Sequence, residues 1–165
     1  MQEKPPDFEI LVRALIEAEA RVVLIGGFAM MAHGSNTDTR DVDFAFARDK
    51  QTVHALKVAL DPYKPRPRDF PLDLPFLWDE QSIWVSTLLT LQTTVGKIDL
   101  LAEIEGVGSF DELDRGALVV PMFGLPVKVA SLQHLVAMKL AAGRPKDLIH
   151  SEELKRLIEL KRSKS

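Results

Sequence analysis

Residues 41–47 read DVDFAFA, an alternation of acidic and apolar side chains. Successive side chains of a β-strand point to opposite faces of the sheet, so Asp41 and Asp43 share one face. Val42 and Phe44 then lie on the other face, which is apolar. The pattern predicts a strand with one polar face and one face in a hydrophobic core.

Two ionised carboxylates on one strand face repel each other unless a cation lies between them. Mg²⁺ prefers oxygen ligands and binds one or two protein carboxylates together with the phosphate oxygens of a substrate. A third carboxylate suits a second ion. Asp99 is the best candidate, because it lies in the apolar run KIDLL at 97–101, where an acid serves no packing purpose. Asp41, Asp43 and Asp99 are therefore the predicted catalytic, metal-binding residues for two magnesium ions, with Mn²⁺ as an alternative ion.

A glycine pair lies upstream of these aspartates. A short β-branched run, 21–25, ends at Gly26 and Gly27, and a helical pattern follows over 28–33. Glycine lets backbone N–H groups approach a phosphate because no Cβ is in the way. The N-terminus of the following helix adds partial positive charge directed at the anion. These parts predict a nucleoside triphosphate site with in-line transfer at the α-phosphate, although the glycines alone could be only a tight turn.

The rest of the chain predicts helices and strands around these motifs. Helices are expected at 8–20 with Asp7 as N-cap, 50–60, 131–142 and 145–160, and strands at 82–91, 95–101, 118–122 and 127–129. The prolines within 61–75 predict a long surface loop without regular structure. Residues 1–6 and 161–165 are expected to be frayed ends.

Composition limits the kind of protein. A chain of 165 residues with 46% hydrophobic residues predicts one folded domain over 1–165. Its net charge of −3 gives no overall attraction to nucleic acid or to an anionic membrane, so a polyanion must be bound locally. The sequence contains no cysteine, which excludes disulfides and thiolate metal sites and is typical of a reducing compartment. No signal peptide or membrane-spanning run is visible, so we expect a cytoplasmic protein without a membrane partner.

Three motifs, taken in order, resemble the signature of the polymerase-beta-like nucleotidyltransferases: Gly26-Gly27, then Asp41-Val42-Asp43, then Ile98-Asp99-Leu100. Residues 25–30 and 39–44 are similar, more narrowly, to minimal bacterial nucleotidyltransferases related to toxin and antitoxin proteins and to small antibiotic-modifying enzymes. The resemblance implies an α+β fold, with a mixed central β-sheet flanked by helices and with C-terminal helices. It also implies two-metal transfer of a nucleoside monophosphate from a nucleoside triphosphate to a hydroxyl or similar acceptor.

A C-terminal motif of these enzymes is matched by residues 137–139, AMK, and 143–147, GRPKD. By that resemblance Lys139, Arg144 and Lys146 bind the nucleotide near its triphosphate, where positive charge offsets the negative charge of substrate and aspartates. Without the resemblance, Lys139 and Lys146 could equally be solvated helix charges. Asp147, beside them, could be a first-turn charge favoured by the helix dipole.

Two positions depart from the family pattern. Thr37 stands where relatives commonly have arginine, and His150 stands where they often have aspartate. Both departures leave open an alternative, a catalytically silent nucleotide-binding or partner-binding protein such as a toxin-antitoxin component, whereas the intact aspartate triad favours activity. The acceptor of an active enzyme is left open between a small molecule, a protein and an RNA end. A domain this small has a shallow cleft, so we hypothesise that a partner chain completes the acceptor side.

Three basic residues alternate with prolines in the predicted loop: Lys64, Arg66 and Arg68. They could contact a nucleotide or RNA acceptor. A flexible extended loop kept soluble by its charge is the favoured interpretation.

Overall fold

The computed structural model describes residues 7–164 and confirms the predicted α+β class. Its helices are α1 (Phe8–Glu17), α2 (Gly26–Ala32), α3 (Lys50–Leu60), α4 (Glu80–Val85), α5 (Phe110–Gly116), α6 (Leu132–Ala142) and α7 (Pro145–Ser163). Its strands are β1 (Val22–Ile25), β2 (Asp41–Phe46), β3 (Arg66–Pro67), β4 (Leu88–Thr93), β5 (Gly96–Leu101), β6 (Leu118–Met122) and β7 (Leu125–Val129), and a 3-10 turn covers Asp61–Tyr63.

All seven of these strands form one mixed sheet in the order β3-β4-β5-β2-β1-β7-β6. β2 lies at the centre, antiparallel to β1 and parallel to β5. β4 pairs with β5, and β6 with β7, as antiparallel hairpins. The parallel register of β2 and β5 sets Asp43 opposite Asp99 and Asp41 opposite Lys97. The sheet therefore joins two acidic motifs that are far apart in the sequence.

The apolar face of the central strands forms the core, as the alternation predicted. Val42, Phe44 and Phe46 of β2 are fully buried, together with Ile98 and Leu100 of β5. Burying a side chain of this size stabilises the fold by about 1.5–3 kcal/mol. The acidic residues of the two strands consequently project from the opposite face.

Local capping explains where several helices begin and end. The Asp7 carboxylate accepts a hydrogen bond from the Ile10 N–H at 3.2 Å and begins α1, as predicted. α1 ends at Glu17 rather than at residue 20, because Glu19 adopts a left-handed backbone with φ of 60°. Helices α3 and α6 are confirmed close to their predicted bounds.

The predicted strand at 82–91 is wrong in its first half. Residues 80–85 are helical because the Asp79 carboxylate accepts a hydrogen bond from the Ser82 N–H at 2.8 Å and so caps α4. The strand itself, β4, begins only at Leu88. α5 was not predicted, although Ser109 caps it in the same way.

The prediction of an irregular loop at 61–75 is also wrong in part. Arg66 and Pro67 form β3, which pairs with β4 at the edge of the sheet. Proline is tolerated in an edge strand because the outer side of such a strand needs no N–H donor. The Arg66 guanidinium donates to the carbonyls of Pro71 and Leu74 at 2.7 and 2.8 Å. The segment is therefore folded against the sheet edge.

The C-terminal helix is longer than predicted, so residues 161–163 are helical and not part of a frayed tail. Lys161 Nζ lies 3.2 Å from His33 Nδ1, and the other ring nitrogen of His33 donates to the Ala130 carbonyl at 2.8 Å. Burial lowers the pKa of His33, and the charge of Lys161 lowers it further. The predicted frayed ends at 1–6 and 165 lie outside the described residues. Within residues 7–164, no helix is long and apolar enough to cross a membrane.

Candidate active site

The candidate site lies on the polar face of the sheet, where β2 and β5 run side by side. Asp43 and Asp99 are opposite each other in the register, so their side chains project side by side from the same face of the sheet. Burial, together with repulsion from Asp99 and from Asp41, raises the pKa of Asp43 to about 7. Such a costly contact between two acids is typical of functional sites, because the fold gains nothing from it.

Arg68 forms an ion pair with one member of this acid pair, Asp99. Its Nη2 donates to Asp99 Oδ1 at 2.7 Å, and its Nη1 donates to the Leu91 carbonyl at 3.0 Å. Arg68 was predicted to lie in a flexible loop, and its contact with Asp99 was not predicted. The strand-like alternation of Arg66 and Arg68 was the available signal, and the prolines between them obscured it. Pairing of β3 with β4 brings Arg68 to Thr90, whose cross-strand neighbour is Asp99.

Gly26 lies against the acid pair. α2 begins at this residue, two positions earlier than predicted, so the glycines belong to the helix instead of forming a separate turn. Its φ is +72°, and a Cβ built on it would lie 2.9 Å from the carboxyl carbon of Asp43. A Cβ on Gly27 would instead lie 3.0 Å from Thr39 Cβ. Gly26 therefore makes room for the Asp43 carboxylate, whereas Gly27 allows α2 to pack on the segment before β2.

Replacing Gly26 with alanine should damage the site more than backbone strain alone predicts. Gly34 is the matched control, because its φ is +100° but a Cβ there meets nothing within 4 Å. We expect Gly34→Ala to cost about 1–2 kcal/mol of unfolding free energy from left-handed strain. Gly26→Ala should cost about 1–3 kcal/mol more, because Asp43 must move. Urea unfolding of both variants measures the difference, and equal losses would contradict the close packing of Gly26 on Asp43.

The basic side of the site is organised by Asp147, whose side chain is inaccessible to solvent. Arg144 Nε donates to Asp147 Oδ2 at 2.6 Å, and Lys139 Nζ lies 3.4 Å from Oδ1. The Arg144 backbone N–H also donates to Asp147, which completes a capping box at the start of α7. The hydrogen bond from Arg144, against the opposing effect of burial and with the help of Lys139, lowers the pKa of Asp147 to about 2. Asp147 is therefore more than a first-turn charge, because it fixes two cations beside the acids.

One cleft of about 610 Å³ collects most of the predicted site residues. Its lining includes Gly26, Asp43, Asp99, Lys139 and Arg144. Cavities of about 300–1,000 Å³ are the usual size for small-molecule sites, so this one has room for a nucleotide. The rest of the lining was not predicted from the sequence. It combines apolar side chains of β4, β5 and α6 with the carboxylates of Glu103 and Glu105.

Three predicted residues lie outside the lining of that cleft: Asp41, Gly27 and Lys146. Asp41 still projects from the same strand face as Asp43 and contributes to its raised pKa. Lys146 is exposed on the first turn of α7 and makes none of the contacts to Asp147 that Lys139 and Arg144 make. The predicted basic trio is thus brought together only in part.

Both departures from the family pattern lie at or near α7. Thr37 Oγ1 is 2.6 Å from Ser35 Oγ, which donates to Glu153 Oε1 of α7 at 2.7 Å. His150 is half-buried on the same helix, and burial lowers its pKa. Thr37 thus takes part in holding α7 to the segment before β2.

The donor set fits magnesium in part. Asp43 and Asp99 offer hard oxygen ligands in a partly desolvated place, where a cation would relieve their repulsion. Within residues 7–164, however, no three His, Cys, Asp or Glu side chains are grouped closely enough to hold a metal ion. The structure thus brings together the pair Asp43 and Asp99, and the part of Asp41 as a third ligand stays a prediction.

The comparisons with known proteins concern the architecture. No protein-family model and no curated protein sequence matches the chain. Among solved structures, the chain is similar to ANT(2'')-Ia in complex with adenylyl-2''-tobramycin, with a TM-score of 0.55, 17% identity and 95% of each chain covered. The solution structure of that antibiotic-resistance factor gives 0.54 at 15% identity, covering 95% of this chain and 90% of that one.

A predicted nucleotidyltransferase from Thermotoga maritima gives a TM-score of 0.55 at 13% identity, covering 92% of this chain and 90% of that one. Identities this low support a common architecture, whereas the toxin-antitoxin type stays a prediction. The described chain has the nucleotidyltransferase fold, as its three motifs predicted.

Proposed function

We propose that the protein transfers a nucleoside monophosphate from a nucleoside triphosphate to an acceptor. The observation that carries this proposal is the register of β2 and β5, which sets Asp43 against Asp99 in the lining of a nucleotide-sized cleft. Lys139 and Arg144 line the same cleft. Phosphoryl transfer requires two components: carboxylates that bind metal cations, and positively charged side chains that bind phosphates.

Two magnesium ions are the proposed cofactors, with Mn²⁺ as the alternative ion, and Asp41, Asp43 and Asp99 would hold them. When bound, the ions polarise the α-phosphate and shield its charge from the attacking oxygen. The protein's own cations offset the remaining charge of the triphosphate. Lys139 and Arg144 suit this role because Asp147 holds both of them in place. Positioning of this kind accounts for most of the catalysis in phosphoryl transfer.

Gly26 supports the phosphate side of the proposal. The N-cap of α2 is Ile25, so no side-chain cap occupies the first N–H groups of the helix. The missing Cβ of Gly26 also leaves the Asp43 carboxylate beside them.

Likeness to ANT(2'')-Ia suggests which substrates to try first. That protein was crystallised with adenylyl-2''-tobramycin, so an adenine nucleotide and a hydroxyl acceptor are the natural starting pair. Small molecules, proteins and RNA ends all remain candidate acceptors for this chain, and a partner chain that completes the acceptor side remains part of the proposal.

A transfer assay with Asp41→Ala tests the proposal at the predicted metal ligand that lies outside the cleft lining. Each α-labelled nucleoside triphosphate is incubated with protein, Mg²⁺ or Mn²⁺, and a mixture of acceptors, and label transfer and pyrophosphate release are measured. Wild type should transfer label, and Asp41→Ala should be slower by about a hundredfold or more. Asp38→Ala is the matched control, because Asp38 is exposed and outside the cleft lining.

A catalytically silent nucleotide-binding protein is the second candidate. It is favoured by the Arg68 ion pair, which already occupies Asp99, and by the lack of three convergent ligands among the described residues. Tight nucleotide binding by the wild type without turnover, under any metal and acceptor, would support this candidate and overturn the first.

A further inference from the structure

A second depression, of about 450 Å³, runs along β3 and β4 beside the acid pair. Every charged side chain that lines it is basic: Lys64, Arg66, Arg68 and Lys97. We call this surface the basic groove. The whole chain carries a net charge of −3, so the concentration of positive charge here is local. A surface of this kind attracts a polyanion that the rest of the molecule does not.

The basic groove and the acids share one face of the sheet. Arg66 is opposite Gln92, and Gln92 is in turn opposite Lys97, so the groove spans three neighbouring strands. Directly paired residues project from the same face. Lys97 is also opposite Asp41, and Arg68 reaches Asp99 at 2.7 Å. A ligand bound in the groove would therefore lie next to the proposed metal site.

Two cations of the groove are available to a ligand. None of the ion pairs found within residues 7–164 includes Lys64 or Lys97. The other two cations stabilise the wall of the groove. Arg66 donates to two carbonyls of its own loop, and Arg68 donates to Asp99. Arg66 Nε is buried and has no hydrogen-bond partner among the described residues. The groove thus has a fixed wall and two free positive charges.

An aromatic ring and a guanidinium group lie together in the wall of the groove. The Arg66 guanidinium lies over the Phe70 ring at 5.5 Å from its centroid, and Phe70 packs edge-on against Phe76 at 5.5 Å. Leu72, next to them, is 90% exposed. Aromatic and guanidinium planes combined with backbone-tracking cations are the usual means of binding single-stranded nucleic acid.

We propose that the basic groove binds a single-stranded nucleic acid and presents its end to the acid pair as the nucleotide acceptor. The role of the nucleic acid as acceptor rests on the proposed transferase function, whereas its binding to the groove does not. A nucleoside triphosphate fills the cleft beneath Lys139 and Arg144, so the acceptor must arrive from another side of Asp99, where the groove begins. A cationic acceptor would be repelled by these residues, and it is therefore the rival outcome of the test.

Fluorescence anisotropy with a labelled ten-nucleotide single-stranded RNA tests the groove without any transfer step. The double variant combines Lys64→Asn with Lys97→Gln, since Asn tolerates the left-handed backbone of Lys64, whose φ is 50°. Its control combines Lys50→Gln with Lys155→Gln, two exposed lysines that lie outside the groove. We expect the double variant to bind about tenfold more weakly and to show a salt slope flatter by about 1.4, for two lost phosphate contacts. The control should match the wild type.

Several results would overturn the inference. Equal binding by wild type and double variant, an equal loss in the control, or no saturable binding by the wild type would each do so. Transfer of label to a cationic small molecule alone, with none to RNA, would also reject it. Lys64→Asn by itself, at an exposed site outside the regular elements, keeps the test valid if Lys97→Gln fails to fold. RNA binding at the groove without any nucleotide transfer would instead refute the transferase function and leave the groove intact.

Discussion

Replacing Asp43 with asparagine should lower the rate of nucleotide transfer about a thousandfold, while the metal-free protein stays at least as stable as the wild type. Asp43 is repelled by both Asp41 and Asp99 and attracted by Lys139, and Gly26 packs against its carboxylate. An amide keeps its size but removes the negative charge that a divalent ion needs. The same change also removes a buried repulsion, so the fold should not suffer.

Transfer rates are measured with Mg²⁺ at pH 8. Stability is measured separately, by urea unfolding at pH 8 in the presence of a chelator. Asp38→Asn is the control, because it removes the same charge from an exposed position outside the cleft. A loss of activity accompanied by a loss of several kcal/mol of stability would mean that Asp43 has a structural role. Unchanged activity would remove the acid pair from the mechanism.

Local patterns in the sequence were enough to predict the central strand and the position of its acids. The alternation at 41–47 predicted the burial of Val42, Phe44 and Phe46, since a strand has only two faces, but it did not predict that Ala45, on the acidic face, is buried as well. The pairing of Asp43 with Asp99 was not contained in that alternation, because it depends on the parallel register of β2 and β5. The order of the three motifs supplied this link through the resemblance to a family.

Where long-range pairing overrides local signals, the prediction failed. The prolines of 61–75 correctly excluded a long strand, but they also hid β3, which exists only because β4 offers it an edge. Arg68 was lost from the predicted site for that reason. Lys146 was predicted to bind the nucleotide, but Asp147 forms ion pairs with Arg144 and Lys139 instead. The ion pair with Lys139 depends on how α6 and α7 pack together.

Replacing Asp147 with alanine should destabilise the protein by about 2–3 kcal/mol and lower transfer about tenfold. The variant loses the capping box of α7 and leaves Lys139, whose side chain is only 18% exposed, without its carboxylate. Breaking a buried ion pair costs about 3–5 kcal/mol, but the Arg144 side chain is 63% exposed and can be solvated, so the lower figure applies. Transfer should fall because neither cation is then held toward the triphosphate.

The pH dependence of this difference identifies its cause. The folded pKa of Asp147 is lowered to about 2, whereas an unfolded aspartate titrates near 3.9. A depressed pKa stabilises the fold above the unfolded value, and the stabilisation is lost as pH falls through the folded value. The gap in unfolding free energy between wild type and Asp147→Ala should therefore be constant from about pH 5 to 7 and shrink between about pH 4 and 2. Glu152→Gln, which breaks an exposed ion pair with Lys155 on the same helix, should cost less than about 0.5 kcal/mol. If this difference in unfolding free energy does not change with pH, Asp147 acts through packing, and its charge contributes nothing to the anchoring of Lys139 and Arg144.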